Sequence, residues 1–330
     1  MDLGEEKELR RRIFERLDEE VAEKGSLTRD QLTSFDVDGT AYRLIDRNKG
    51  IWNPRAFAAT VSILTKPDSN YHDKEVGESR YAYAYREGNH NGDNAKLRRA
   101  FELELPIIWL RWIKVGTLIR FVPVYPVYVV ADDSANAQFI LALDPNLQPV
   151  ADGHQDPIKR AYAERTARQR LHQPQFRGRV LLAYETRCAV CNLGHGQLLD
   201  AAHIIGDTEE RGTAEVDNGL CLCKIHHAAY DANLLGISPA GKIHIGTKLM
   251  ADPGDSPTLK YALKEMDGAD IFRPRRQADQ PSPERLAERF ADFEETNNSG
   301  ATYDQSWPAQ PVSVLRVQQA FDPADGSPTQ

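Results

Sequence analysis

The sequence predicts an α+β protein with two domains, a β-rich N-terminal domain followed by a metal-binding C-terminal domain. Between residues 35 and 145 the chain is rich in short runs of β-branched and aromatic residues. Between residues 188 and 231, cysteine, histidine and aspartate recur at spacings typical of metal ligands. A length of 330 residues is enough for two domains of ~100–200 residues each.

The N-terminal domain is expected to contain helices as well as strands. Leu9, Ile13, Leu17 and Val21 recur every four residues and predict an amphipathic helix over 5–24. Thr28 has a glutamine three residues later, which favours a capped short helix. A further helix is predicted over 94–103. The predicted strands are 81–85, 106–113, 118–130 and 139–143.

Two prolines restrict the type of the third strand, and two polar stretches mark the ends of the domains. Pro123 and Pro126 make the third predicted strand an edge strand or a bulged one. The turn-rich run 144–157 predicts a linker, and the polar composition near the C-terminus predicts a mobile tail. We therefore expect a β-rich domain, a linker, a metal-binding domain and a tail. Their boundaries are 1–150, 151–160, 161–295 and 296–330.

The distribution of charge is uneven. The net charge of −8 argues mildly against a nucleic-acid partner, but residues 159–187 hold eight basic and two acidic side chains. A phosphate backbone responds to the local field, so this segment is a candidate for DNA contact, the alternative being a solvated helix face. The candidate phosphate-binding residues are Arg168, Arg170, Arg177 and Arg179.

The same composition suggests a cytoplasmic protein. No apolar run reaches the ~18 residues of a membrane span, and the N-terminus has no apolar core of a secretory signal. Thiols stay reduced in the cytosol, so the four cysteines are expected to be metal ligands or core residues.

The cysteines point to a structural zinc site. Cys188 and Cys191 form a C-x2-C pair, and Cys223 and His226 form a C-x2-H pair. Two such pairs supply the four sulfur and nitrogen ligands of tetrahedral Zn²⁺. Cys221 remains outside this set and is expected to lie in the core.

A structural zinc leaves other coordinating residues unexplained. His203 lies in an apolar segment that predicts a strand, and His227 and Asp231 share a helix face four residues apart. A histidine on a strand, a loop, and metal ligands on a helix suit phosphodiester hydrolysis, in which one group activates water and a metal neutralises charge. The alternative is a buried histidine that serves only the core.

The runs CAVC, LLDAAHII and DNGLCLCKIHHAAYD resemble the motif of HNH (ββα-metal) endonucleases with an embedded zinc site. The resemblance implies that His203 is the general base and that Asn218 holds the connecting loop. It further implies that His227 binds one Mg²⁺ or Mn²⁺ ion and that the product carries a 5′-phosphate and a 3′-hydroxyl.

One position departs from that family. Many members have an aspartate or histidine ligand directly before the base, where this chain has Ala202. Asp200 can share the facing of position 202 in a strand, so it is one candidate for the missing carboxylate. Asp231 is the other.

The N-terminal half resembles the partner domains of HNH proteins of modification-dependent (type IV) restriction. That resemblance implies a PUA- or SRA-like barrel that flips a modified cytosine into an aromatic cage. The partner would be double-stranded DNA, with a homodimer as a way to cut both strands. The alternatives are a zinc-stabilised DNA-binding protein without catalysis, or a nuclease for unmodified DNA or RNA. The candidate pocket residues are Trp52, Tyr81, Tyr83, Tyr85 and Asp93.

Overall fold

The structure is a computed structural model of the chain. It describes residues 1–65, 74–75, 80–85, 92–143, 171–207, 209, 211–254 and 256–298. The expected linker and the tail beyond residue 298 lie outside these residues, as do Arg168 and Arg170. Among the helices in these ranges, none has the length and apolar character to cross a bilayer.

The chain begins with the two helices that the sequence predicts. Helix α1, Leu3–Lys24, starts at a capping box made by Asp2 and Glu5 and ends at Gly25, whose φ of 70° suits a residue without a side chain. Helix α2, Arg29–Thr33, starts at a second capping box, made by Thr28 and Gln31. Both predictions are confirmed.

A seven-stranded sheet forms the body of the N-terminal half. The hairpin of β1, Phe35–Val37, and β2, Thr40–Tyr42, precedes it, and α3, Asp93–Glu102, interrupts it. The strand order is β3-β4-β7-β8-β9-β6-β5, with β4 and β7 parallel and the other neighbours antiparallel. The strands are β3, Ile51–Trp52; β4, Ser62–Thr65; β5, Lys74–Glu75; β6, Arg80–Ala84; β7, Ile107–Val115; β8, Leu118–Asp133; and β9, Gln138–Ala142.

The strand β8 joins β7 to β9 and contains the two prolines of the third predicted strand. It pairs with β7 through Val127 and with β9 from Tyr128 onward, and a register shift marks each pairing. Pro126 lies in the register shift between Val124 and Val127, as the bulged-strand alternative expects, whereas Pro123 lies in the part of β8 that pairs with β7 before the pairing with β9 begins, as the edge-strand alternative expects. Among the described strands β3 and β5 form two separate ends, so the sheet is open there and a closed PUA- or SRA-like barrel is not confirmed.

Both faces of the sheet are buried. Along β7, Ile107 and Trp109 pack with α3 and β9, whereas Ile108 and Leu110 pack with α1 and α2. Successive side chains of a strand point to opposite faces, so this alternation separates two cores. The continuous apolar run of β7 reflects a strand covered on both sides.

A buried ion pair fastens α1 to the sheet. Arg10 contacts Glu6 at 2.7 Å, and both side chains are at most 2 % exposed. The guanidinium of Arg10 also donates to the carbonyl oxygens of Pro106 at 2.7 Å and Thr60 at 3.0 Å, and Glu6 accepts from the Ala58 amide at 2.6 Å. These bonds compensate the two buried charges.

The C-terminal half is built around a small hairpin and a helix. Helix α4 covers residues 171–183, and β10, Leu199–His203, pairs antiparallel with β11, Gly219–Cys223. Helix α5, Lys224–Asp231, follows β11 directly. The remaining elements are β12, Leu235–Ile237; β13, Ile243–Ile245; α6, Thr247–Ala251; a π-helical turn, Thr258–Leu263; and α7, Pro283–Asn298.

Helix α7 corrects the expected start of the tail at residue 296. The helix continues to Asn298, and Asn297 donates to the Asn233 carbonyl oxygen at 3.0 Å. The side chain of Asn233 in turn donates to the Thr296 hydroxyl. The C-terminal half therefore extends at least to the end of α7.

Candidate active site and metal centre

The four predicted zinc ligands meet at one point. The donor atoms of Cys188, Cys191, Cys223 and His226 all lie within 4.8 Å of one another. The Nδ1 atom of His226 is 3.1 Å from the Cys223 sulfur and 3.5 Å from the Cys188 sulfur. Three thiolates and one imidazole are a donor set that tetrahedral Zn²⁺ prefers. The residues present therefore fit a structural zinc ion.

The surroundings of these ligands support that geometry. The Nε2 atom of His226 lies 2.6 Å from the Ala262 carbonyl oxygen, to which it donates when Nδ1 serves a metal. Cys221 is fully buried and pairs across the hairpin with Ala201, outside the ligand group. Cys221 is thus a core residue, as its position in the sequence indicated.

Asn218 closes the loop between β10 and β11. Its side chain is fully buried and accepts from the Ile205 amide at 2.9 Å. The same side chain donates to the Ile205 carbonyl oxygen at 3.0 Å and to the Thr213 carbonyl oxygen at 2.9 Å. One amide group therefore satisfies three backbone groups of the loop that follows His203.

His203 is the last residue of β10 and is half-buried. Its ring stacks on Phe176, with 3.9 Å between the ring centroids and 15° between the planes. The Nε2 atom is buried and has no hydrogen-bond partner among the residues that the structure describes. Burial lowers the pKa of His203, His227 lowers it further, and Asp207 opposes the shift. The ring is therefore held neutral at ordinary pH.

His227 lies between the two candidate carboxylates. Its Nδ1 atom is 3.5 Å from Asp200 and its Nε2 atom is 3.4 Å from Asp231. Lys224 contacts Asp200 at 2.5 Å. Burial raises the pKa of Asp200, but Lys224 and His227 outweigh it and leave that pKa below its ordinary value. The carboxylates contact different ring nitrogens, so the three side chains do not converge on one point.

These groups share a cleft between β10, α5 and the end of α1. His203, His227, Asp200 and Asp231 line it, together with Arg177, and its volume is about 920 Å³. Ala202 is fully buried instead, so its surroundings differ from those of Asp200. That Asp200 shares the facing of position 202 stays a prediction.

The residues expected to form an aromatic cage are mostly core residues. Tyr81 is buried against Trp109, and Tyr85 is buried against Phe139 with its hydroxyl on Asp132. The Tyr83 hydroxyl donates to the Gly50 carbonyl oxygen at 3.1 Å. These contacts account for the three tyrosines as packing residues.

The other two pocket candidates also have structural partners. Trp52 packs with the core on the α1 side of the sheet, and its indole donates to the Arg43 carbonyl oxygen at 2.7 Å. Asp93, at the start of α3, contacts Lys49 and Asn53. The described contacts of the five candidates are all with other residues of the N-terminal half, and their grouping into one base pocket stays a prediction. Strand alternation alone does not separate a core face from a binding face.

The two described arginine candidates differ. The guanidinium of Arg177 donates to four backbone carbonyl oxygens, which gives this side chain a structural role, and its contact with phosphate stays a prediction. Arg179 is partly exposed and has a loose ion pair with Glu215 at 3.9 Å.

Sequence reasoning missed two residues of the cleft region. Phe176, which stacks on His203, lies in a basic segment that gave no sign of an aromatic contact. Lys224, directly after a zinc ligand, carries no motif of its own. In both cases the hairpin brings together residues that are 24 or more positions apart in the chain.

Comparison with known proteins agrees with this geometry. Residues 188–238 match the family model described as HNH endonuclease. They contain the zinc ligands, the hairpin and α5. No curated protein matches the chain.

Two solved structures resemble the chain at low similarity. The modification-dependent TagI restriction endonuclease shares 17 % identity, with 81 % of this chain and 90 % of that chain covered and a TM-score of 0.28. The type IV phosphorothioation-dependent restriction endonuclease ScoMcrA shares 13 % identity, with 69 % and 56 % covered and a TM-score of 0.19. TM-scores this low do not establish a common overall fold.

Residues 188–238 therefore form a ββα unit whose three cysteines and one histidine fit a zinc ion. This segment is an HNH endonuclease motif, and the resemblance seen in the sequence is confirmed there.

Proposed function

We propose that the protein is a DNA endonuclease that hydrolyses phosphodiester bonds with one divalent metal ion in the cleft between β10 and α5. The observation that carries the proposal is the position of His203 and His227 in one cleft, within a segment that matches HNH endonucleases. A zinc-stabilised DNA-binding module has no need of a second set of histidines and carboxylates beside its metal ligands.

His203 is the proposed general base. Its Nε2 atom is buried, so Nδ1 is the nitrogen assigned to take the proton from the attacking water. Water then attacks phosphorus, and the bond to the 3′ oxygen breaks to give a 5′-phosphate and a 3′-hydroxyl. A lowered pKa keeps the ring in the proton-accepting form. Asn218 holds the loop behind the base through its three backbone bonds.

His227 and Asp231 are the proposed ligands of the catalytic ion. Asp231 is 64 % exposed and lies 3.4 Å from Nε2 of His227, whereas Asp200 is already engaged by Lys224. A carboxylate with an imidazole suits Mg²⁺ or Mn²⁺, and the ion would neutralise charge on the scissile phosphate. Mn²⁺ titration of the zinc-loaded protein tests the choice. Asp231→Asn should weaken binding more than Asp200→Asn, and the reverse order would make Asp200 the ligand.

We assign target choice to the N-terminal half and propose DNA that carries modified cytosine as the substrate. The support is the sequence resemblance of that half to partner domains of modification-dependent restriction proteins. A further support is that this half has two hydrophobic cores of its own beside the nuclease module. A base-binding cage would have to use residues other than Tyr81 and Tyr85. Cutting both strands requires two nuclease sites, which a homodimer would supply.

The experiment compares matched duplexes of one sequence that carry cytosine, 5-methylcytosine or 5-hydroxymethylcytosine. Binding is measured at fixed salt with the full-length His203→Ala protein, so that the shared electrostatic contribution cancels. Cleavage is measured with the wild type in Mg²⁺, Mn²⁺ and EDTA. Tighter binding and faster cleavage of a modified duplex support the proposal. Equal behaviour of all three duplexes removes the modification specificity, and cleavage of RNA instead identifies another substrate.

A further inference from the structure

Two consecutive residues of α4 reach opposite ends of the strand β10. The ring of Phe176 stacks on His203, the last residue of the strand, at 3.9 Å between centroids. The next residue, Arg177, donates to the carbonyl oxygen of Leu199, the first residue of the strand, at 3.0 Å. Leu199 directly precedes Asp200, so the two contacts bracket both polar residues of β10.

Close packing fixes the position of the Phe176 ring. Phe176 is 2 % exposed, and its ring lies against Gly219, which pairs with His203 across the hairpin. A Cβ atom at Gly219 would lie 2.9 Å from the Cζ atom of Phe176 and 2.6 Å from a methyl group of Val180. The glycine thus makes room for α4 against the hairpin, and this close approach holds the phenyl ring parallel to the imidazole.

Arg177 also binds the end of α1. Its guanidinium donates to the carbonyl oxygens of Val21 at 3.0 Å, Ala22 at 2.9 Å and Gly196 at 2.8 Å. The C-terminal carbonyls of a helix favour a cation. Burial lowers the pKa of Arg177 and the nearby Asp200 opposes that shift, yet a guanidinium stays charged in proteins. One partly buried cation therefore joins α1 to the strand of the proposed base.

The two halves of the chain approach each other at backbone distance beside this arginine. A Cβ atom at Gly196 would lie 1.6 Å from the Glu23 carbonyl oxygen, and one at Gly178 would lie 3.0 Å from the Gly25 carbonyl oxygen. Helix α1 is therefore seated directly on the segment that leads into β10. Any displacement of α1 must move that segment or break the Arg177 bonds.

We propose that Phe176 and Arg177 are positioning residues that hold β10 from both ends, and that Arg177 makes the position of β10 depend on the seating of α1. The inference rests on the proposed nuclease function. A misplacement of about 1 Å can cost a reaction about 100-fold in rate. The N-terminal half would then have two roles. It brings DNA near the cleft, and its packing on the C-terminal half fixes the position of the His203 ring.

The first test compares Phe176→Leu with Val180→Ala. Both remove packing between α4 and Gly219, but only Phe176 contacts the His203 ring. Single-turnover cleavage should fall by about 10- to 100-fold in Phe176→Leu, with zinc content and DNA affinity unchanged, and stay within about threefold of wild type in Val180→Ala. Equal losses in the two variants would reduce Phe176 to a packing residue and overturn its part of the proposal.

The second test compares Arg177→Lys with Arg29→Lys. Both arginines donate to backbone carbonyl oxygens, but Arg29 lies on α2, donates to Asp46 at 2.9 Å and takes no part in the contact between α1 and β10. Cleavage at saturating DNA should fall by about tenfold or more only for Arg177→Lys, since a lysine cannot bridge these carbonyls. Gly196→Ala should act like Arg177→Lys, because the new methyl group displaces α1. Wild-type cleavage rates in both folded variants would refute the dependence on α1.

A readout that does not involve cleavage separates this inference from the proposed function. Ring stacking shifts the imidazole proton resonances of His203, which are assigned in ring-labelled histidine by comparison with His203→Ala. This measurement needs zinc at the structural site but no divalent ion in the cleft. The shift should disappear in Phe176→Leu and persist in Val180→Ala. If wild type shows the shift but cuts no DNA, the proposed nuclease function is wrong and the stacking of Phe176 on His203 stands. If wild type cuts DNA but shows no shift, the proposed stacking is wrong.

Discussion

The side chain of Asn218 binds the backbone of Ile205 at both its amide and its carbonyl group. The paired bonds, at 2.9 and 3.0 Å, turn the chain sharply after His203 and close the loop that returns to β11. In this arrangement Asn218 transfers no proton and binds no metal. Its amide acts by fixing the loop behind the proposed base.

Replacing Asn218 by alanine should cost both stability and activity. The substitution leaves the buried amide and carbonyl groups of Ile205 without their side-chain partner, and each such group costs about 1–3 kcal/mol. Urea unfolding measures the loss, and cleavage should fall with it. Thr213→Ala is the control, since the carbonyl oxygen that Asn218 binds is unchanged. An Asn218→Ala protein as stable and as active as the control would contradict this role.

The pH dependence of cleavage should report His203. A general base works in its neutral form, so the rate falls as the pH drops through its pKa. Burial lowers that pKa, which places the acid limb of kcat/KM below the ordinary imidazole value of about 6.5. Asp207 opposes the shift, so Asp207→Asn should move the limb to still lower pH. A limb centred above 6.5 in wild type would disagree with this environment.

Zinc removal should unfold the C-terminal half. Structural zinc contributes folding free energy on the order of 10 kcal/mol in small domains. Cys188→Ser and Cys223→Ser should lose the metal, as measured by elemental analysis and circular dichroism. Cys221→Ala is the matched control, because this buried thiol lies outside the ligand group and should retain about one zinc per chain. A folded wild-type protein without zinc is the result that this assignment does not allow.

The buried pair of Glu6 and Arg10 should matter more than exposed pairs on the same helix. Glu6→Ala leaves Arg10 as an uncompensated buried charge, which costs about 3–5 kcal/mol. Glu8→Ala removes only the exposed pair with Arg11, which solvent screens, and should lower the stability far less than Glu6→Ala. Chemical unfolding of both variants gives the comparison. Similar small losses would show that α1 is held mainly by its apolar face.

Local sequence patterns predicted those elements whose structure depends mainly on residues close together in the chain. The four-residue apolar repeat gave α1, and the hydroxyl of Thr28 with Gln31 gave the cap of α2. The cysteine spacings gave the zinc group, because x2 pairs fix ligand geometry within a few residues. In each case the interaction joins residues that are close in the chain or belong to a pattern with its own geometry.

Contacts between distant segments could not be read from such patterns. Arg177 stood in a basic run that favoured phosphate contact, but it binds carbonyls of α1 some 155 positions away. Tyr81 and Tyr85 alternate as a binding face would, yet both faces of the sheet are covered. The position of Asp200 relative to α5 depends on how the helix packs on the hairpin. No sequence pattern therefore indicates the contact between Asp200 and Lys224.

The most direct test of the proposed function is DNA cleavage by zinc-loaded wild-type and His203→Ala proteins in Mg²⁺ or Mn²⁺, with EDTA as the reference. Wild type should cut with the divalent ion and stop when EDTA is added in amounts that leave the structural zinc bound. His203→Ala should fold, keep its zinc and bind DNA, but lose about 100- to 10,000-fold in rate without its base. A folded His203→Ala protein that cuts DNA at the wild-type rate would contradict the assignment of the active site.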